Sequence, residues 1–244
     1  YMFYTGKKLL YIGKATSLRG RVRSYFGKDL ISTRGPLLVD MVFKANKITW
    51  QATDSVLEAL ILESNLIKKH QPYYNTKEKD NKSFNYVCIT KDAVPKVLIM
   101  RERNLKHSNI LQNVRMFGPF PNGQQLKDAL KIIRRIFPFI DESSSKKQNK
   151  VFYEQIGLHP NKLEDYKKNI ANLKLFFEGK KKKIIQNLKK DMFVLAKKQQ
   201  FEKAGVVKKQ IFALEHINDV ALIKSDYEPL QNSSASVFRI EAYD

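Results

Sequence analysis

The chain has 244 residues, 43% hydrophobic and 28% charged, enough to bury a core and to build at least two globular pieces. Its 45 Lys and Arg against 24 acidic residues leave a net charge of +21, which points to a polyanionic partner, nucleic acid first. One cysteine, Cys88, excludes an internal disulfide or a cluster held by this chain's thiols alone; with no signal-like start and no apolar run of about 18 residues, a cytosolic protein is expected.

In chain order, "YMFYT" and "KLLYIG" flank Gly6 and read as two strands joined by a tight turn. From Ser17 the period becomes helical, with Leu18, Val22 and Tyr25 or Phe26 on one face and Arg19, Arg21 and Arg23 fanned over the other. A strand follows at "KITWQAT", and Asp54 is the expected N-cap of a helix through "SVLEALILESNLIKKH" that Pro72 ends. Residues 84–90, with Cys88 as a small core residue, and 94–101 predict two more strands, and "FGPFPNG" a turn. Residues 124–137 predict an amphipathic helix, and the polar segment 141–150 an exposed loop or linker.

Beyond about Asn161 the composition shifts to lysine-rich helix. Ile184, Leu188, Met192, Leu195 and Ala196 form one stripe and Ala204, Val207, Ile211 and Leu214 another, which predicts an antiparallel hairpin. So small a pair has little core of its own and is expected to pack on a partner or another domain. The lysine run at 180–183 reads as a solvated face or as a non-specific phosphate contact.

Glu63 falls on a stripe with Ala59, Leu60 and Ile67 that otherwise reads as core. Burying a carboxylate calls for a divalent cation or an Arg partner, unless the helix lies at a domain edge and Glu63 turns outward. Because "ALIL" is apolar nearly all round, the periodicity leaves both readings open. The four histidines form neither an HxxxH nor an HxH pair, so any metal would be held by carboxylate.

The ordered set of "YIG" at 11–13 with Lys14, then Arg21, Tyr25, Glu63 in "LILESNLIKKHQPYYN" and Asn75 resembles the GIY-YIG nuclease domain. More closely it resembles the UvrC family, nuclease components of the bacterial excinuclease of nucleotide excision repair. "FGPFPN" is similar to the segment after that family's nuclease domain, and "MFVLAKKQQFEKAGVVKKQIFALEHI" to the UVR hairpin by which such proteins dock on the helicase UvrB. The resemblance implies an α/β (α+β) GIY-YIG domain with a small antiparallel sheet over residues 1–90 and a connecting region over 91–160. It places a helical region at 161–223, with its UVR hairpin at about 186–221, and a linker plus the first strand of an RNase H-like second nuclease domain at 224–244.

It further implies a cytoplasmic endonuclease that hydrolyses a phosphodiester 3′ of a lesion in damaged double-stranded DNA held by UvrB, with no membrane and no small-molecule substrate. Tyr11 would be the general base, or the group that activates water through the metal. Arg21 would steady the scissile phosphate, and Glu63 would hold a single Mg2+ or Mn2+. Tyr1, Lys14, Tyr25 and Asn75 fall at supporting positions; Arg19, Arg23, Lys68 and Lys69 are expected on the DNA backbone, and Phe201, Ala204, Val207, Ile211 and Leu214 on UvrB. Hydrolysis needs an activated oxygen, a Lewis acid and a cation on the non-bridging oxygens, and this set supplies places for all three.

Three departures from the family qualify the expectation. The chain opens on Tyr1, inside the first half-motif, and closes on "VFRIEAYD", so a fragment is expected, with Asp244 an incomplete second nuclease site. The four cysteines that family members commonly carry ahead of the hairpin are missing, so no Fe-S cluster is expected. Val206, Val207 and Lys208 stand where an acidic-then-arginine pattern is more familiar. Two rival expectations are an inactive adapter that joins DNA to UvrB and a stand-alone GIY-YIG nuclease making the 3′ incision.

Overall fold

A computed structural model describes residues 1–27, 30–76, 84–106, 113–142, 144, 147–159 and 163–217. Strands β1 (Met2–Thr5) and β2 (Lys8–Ile12) form a hairpin that turns at Gly6, whose φ of +56° suits a residue without a β-carbon. β3 (Lys47–Thr49) pairs with the other side of β1, giving the order β2-β1-β3. Since β2 and β3 both run antiparallel to β1, they run parallel to each other and finish at the same end of the sheet. The segments that leave them, from Gly13 and from Trp50, therefore open side by side.

α1 (Leu18–Arg23) is capped by Ser17, whose Oγ accepts from Gly20 N at 3.4 Å, and continues through a 3-10 turn at Ser24–Phe26. With α2 (Leu30–Arg34) and α3 (Pro36–Lys44) it covers one face of the sheet. Phe3, Leu10, Tyr25, Leu38, Met41 and Tyr74 form the small core between them.

α4 (Val56–His70) starts one residue later than Asp54 would have it. Ser55 is the N-cap, extended in backbone, with Oγ accepting from Glu58 N at 3.1 Å. Either side chain can cap a helix; Asp54 instead stands 83% exposed, 3.7 Å from Lys181 Nζ. Leu57, Leu60 and Ile61 of α4 enter a second and larger core. After Pro72 the short α5 (Tyr73–Thr76) returns the chain to β2.

The second sheet takes β4 (Asn85–Thr90), β5 (Val97–Arg101) and β6 (Val114–Phe120) in the order β5-β4-β6, all antiparallel, with α6 (Glu102–Lys106) after β5. β4 thus pairs with the strands that follow it rather than with β1–β3; hydrogen bonding between distant strands, invisible to local pattern, decides it. α7 (Gly123–Ile136), capped by Asn122, lays Leu126, Ala129, Leu130, Ile133 and Ile136 against this sheet and α9.

The linker reading of 141–150 also changes. α8 (Lys147–Gln155) begins inside it, and Asp141 is tied down: it accepts from Ser144 N at 2.7 Å and pairs with Arg134 Nη1 at 2.9 Å. The Arg134 side chain is only 7% exposed and lies 3.9 Å from the centroid of the Tyr153 ring, so a buried cation finds a counter-ion and an aromatic face.

α9 (Leu163–Phe177), α10 (Lys181–Lys197) and α11 (Phe201–Glu215) complete the larger core. The α10–α11 pair is the expected hairpin, but its apolar stripes have found a partner within the chain. Ile184, Leu188, Ile211 and Leu214 are buried in the core shared with α4, α7 and α9. Polar contacts tie α4 to the helical end of the chain: Lys181 Nζ donates to Glu58 Oε1 at 2.6 Å, and Asn65 Nδ2 to Phe177 O at 3.1 Å. Among the described residues no helix is long and apolar enough to cross a membrane. The expected final strand and Asp244 lie outside the described residues.

Candidate active site

The β1–β2 hairpin sets the first pieces in place. Gly13 N donates to Tyr1 O at 3.0 Å, and Tyr1 N to Gly13 O at 2.8 Å, so the ladder runs past the strand ends and holds Tyr1 across from Gly13. Phe3 lies opposite Tyr11. Tyr25, delivered by the turn after α1, closes an aromatic cluster in which the rings of Tyr1, Phe3, Tyr11 and Tyr25 meet at centroid distances of 5.1 to 6.4 Å. Edge contacts of this kind add to the burial of the rings.

The phenols are joined by polar contacts. The Tyr1 and Tyr25 hydroxyls are 2.8 Å apart, and Arg21 Nε donates to Tyr1 Oη at 3.2 Å. Arg34 lies over the Tyr25 ring at 4.6 Å and donates to Ser24 Oγ, a contact no local spacing announces. Burial, together with the neighbouring Tyr25, Tyr1 and Glu63, pushes the Tyr11 phenol well above its ordinary value; burial and Tyr25 do the same to Tyr1. Both phenols therefore keep their protons at neutral pH. Positive charge brought into the cleft would lower the Tyr11 phenol again.

Beside the cluster, at the common end of β2 and β3, lies a cleft of about 240 Å³. One lip is formed by Gly13, Lys14, Ala15, Thr16 and Leu18; the other by Trp50, Gln51, Ala52 and Thr53. Tyr1 and Met2 lie between them, and α4 supplies the wall with Ala59, Leu62, Glu63 and Leu66. This answers the question the periodicity left open: Glu63 is half-buried and borders the cleft, while Leu60 and Ile61 of the same helix point to the larger core. Tyr11 and Arg21 stand behind Tyr1 rather than in the lining.

The donor set fits one hard divalent cation. Among the described residues no three His, Cys, Asp or Glu converge, so the protein offers no cage of its own. A single carboxylate in a cleft that mixes polar and apolar groups suits an ion such as Mg2+, which keeps several waters and shares its remaining positions with substrate phosphates. Mn2+ accepts the same oxygen ligands.

Asn75 and Gly13 hold this arrangement from behind. Asn75 is buried; its Oδ1 accepts from Ile12 N and its Nδ2 donates to Ile12 O, both at 2.8 Å. β2 is an edge strand, so the amide stands where a further strand would pair. A β-carbon on Gly13 would lie 2.4 Å from Tyr1 Oη, which explains the third letter of "YIG". Gly13→Ala is expected to displace the Tyr1 ring, break its contact with Tyr25 and cost about 1–3 kcal/mol of stability. A urea midpoint unchanged from wild type would show that Tyr1 moves aside freely.

Of the other expected residues, Arg19, Arg23, Lys68 and Lys69 are exposed, the first two on α1 and the lysines in the last turn of α4. The hairpin set divides. Phe201 is 68% exposed, but Ala204, Ile211 and Leu214 are buried and Val207 is partly buried against the larger core, so these four face the chain's own interior. Phe193, Val206 and Phe212 are exposed in their place. Trp50, on the rim of the cleft, was hidden from sequence reasoning inside a run that reads only as strand.

Residues 1–76 match the UvrC-like GIY-YIG domain family. Over 219 residues, 86% of this chain, the sequence is 36% identical to the UvrABC system protein C of Prochlorococcus marinus, of which it covers 33%. It is 35% identical over 220 residues to the same-named protein of a Cyanothece species, covering 87% of this chain and 34% of the relative. For a Thermoanaerobacter species the figures are 33% over 237 residues, 92% and 37%. The chain thus spans about a third of the length of these curated relatives. No solved structure matches it.

Proposed function

This chain belongs to the UvrC family, carrying its GIY-YIG domain in residues 1–76, and on that footing we propose that it is a metal-dependent DNA endonuclease of nucleotide excision repair. It cuts one phosphodiester on the 3′ side of a lesion in DNA already held by UvrB. The observation that carries this reading is the convergence of Glu63, Lys14 and the Tyr1–Arg21 pair around one small cleft in a strongly basic chain.

In this reading Glu63 holds one Mg2+ or Mn2+, which when bound supplies Lewis-acid stabilisation of charge on the phosphate. The chain's own groups do the rest. Arg21, tied at Nε to the hydroxyl of cleft-lining Tyr1, steadies the scissile phosphate with its positive charge from behind the lining. Tyr11 serves as general base toward the attacking water, with positive charge at Glu63 offsetting the burial that raises its phenol. Lys14 adds positive charge on the lip, while Arg19, Arg23, Lys68 and Lys69 neutralise flanking phosphates. The exposed Phe193, Phe201, Val206 and Phe212 of the hairpin serve as the docking side toward UvrB.

The test is an end-labelled duplex with one lesion and UvrB loaded, to which the protein is added with Mg2+ or Mn2+, or with EDTA. A single nick 3′ of the lesion, present with metal and abolished by EDTA, is expected. An intact strand under both metals, with binding retained, would replace the nuclease by an adapter.

A further inference from the structure

Trp50 is the only tryptophan in the chain, and its side chain stands 66% exposed at the mouth of the cleft that Glu63 borders. It follows β3 directly, at the end of a short edge strand, so the backbone holds it on the rim rather than on a long loop. No ring or cation partners it among the described residues. The cleft it borders mixes polar and cationic groups such as Lys14, Thr16 and Gln51 with apolar ones such as Met2, Leu18 and Leu62, which suits a charged, hydrogen-bonding ligand with a flat apolar face. A nucleotide is such a ligand.

We propose that Trp50 is a stacking platform for an unstacked nucleobase next to the phosphate at Glu63, so that the cleft selects DNA whose strand is locally opened. The proposal rests on the nuclease reading for the position of that phosphate. A base inside an intact duplex already has neighbours on both faces and offers the indole nothing; an unstacked base offers a full face. A cleft of about 240 Å³ has no room for a duplex, but it accepts a phosphate and part of the nucleotide that carries it. Trp50 and Glu63 border the same opening, so base and phosphate are engaged together.

Because Trp50 is the only indole, its emission reports this contact directly. Two duplexes are compared in EDTA, so that nothing is cut: one with a bubble of unpaired bases, the other with the same bubble made of abasic sugars. Unlabelled DNA is used for emission, and a fluorescein end label on separate samples gives affinity by anisotropy. The bubble is expected to quench Trp50, and the abasic bubble to bind without quenching. Trp50→Ala should weaken binding to the bubble about tenfold and leave the abasic affinity near wild type, while Trp50→Phe recovers most of the loss. The exposure of the side chain means neither variant threatens the fold.

Unchanged emission at saturating bubble DNA, or a Trp50→Ala affinity equal to wild type, overturns the proposal. Cutting is scored separately, with Mg2+, on the lesion duplex loaded with UvrB. Quenching without any cutting would sink the nuclease reading and leave the stacking contact standing; cutting without quenching would do the reverse.

Discussion

Glu63→Gln is expected to slow metal-dependent nicking by about 10²–10³-fold, the range seen when one preorganised electrostatic contact to a transition state is removed. Gln keeps the size of the side chain and gives up its charge, so the cleft retains its shape while its one carboxylate ligand is lost. Glu63 is half-buried at the middle of α4, and its charge works against ionisation of Tyr11. Removing that charge relieves only a lesser cause of the raised Tyr11 pKa, behind burial, Tyr25 and Tyr1, so the phenol still holds its proton at neutral pH and the loss reads on the carboxylate. Rates on the loaded lesion duplex, read beside a thermal melt of each protein, decide it: equal rates with equal melting would remove Glu63 from the reaction.

Asn75→Ala is expected to cost roughly 2–4 kcal/mol of stability, because it leaves both the N–H and the C=O of Ile12 without partners in a buried setting. Activity should fall further than stability does, since Ile12 lies between Tyr11 and Gly13 and the strand carrying both loses its outer neighbour. Asn75→Asp is the informative companion. It still accepts from Ile12 N but sets a second acceptor against Ile12 O, so it should recover little of the loss. Denaturant titration of the three proteins checks this, and an Asn75→Ala midpoint within error of wild type would refute the clamp.

What the sequence disclosed about the fold was whatever local chemistry decides. The α7 stripe and the Ser17 start of α1 follow from side-chain period and capping and lie within a residue of their expected bounds, while α10 and α11 pack as a helix pair over 181–215 where a hairpin at about 186–221 is expected. Ser55 against Asp54 was not decidable, because two adjacent residues have the same capping chemistry and only the backbone angles choose between them. The allegiance of β4 depends on strands distant in sequence, and the inward turn of Ile211 and Leu214 depends on α7 and α9 being there to receive them. For the site, the order of Tyr11, Arg21, Glu63 and Asn75 was legible, since their spacing is written in the chain. Which way Glu63 faced was not, because Leu60, Ile61 and Leu62 beside it are apolar whichever side is buried. Arg34 over Tyr25 and Trp50 on the rim likewise needed the sheet and helices assembled first.

α4 is a wall common to two compartments. One side carries Leu57, Leu60 and Ile61 into the larger core, where Lys181 and Asn65 also fasten it; the other presents Glu63 to the cleft. The consequence is evolutionary. A change of volume in the larger core that costs little stability still shifts the helix on which Glu63 rides, and a displacement of about 1 Å at a reacting group costs on the order of 10²-fold in rate. The unit that carries the cleft and the helical unit therefore cannot drift independently: under the proposed function, substitutions in α9 and α10 are filtered by turnover as well as by folding, and tolerated changes on either side of the wall should arrive as matched pairs.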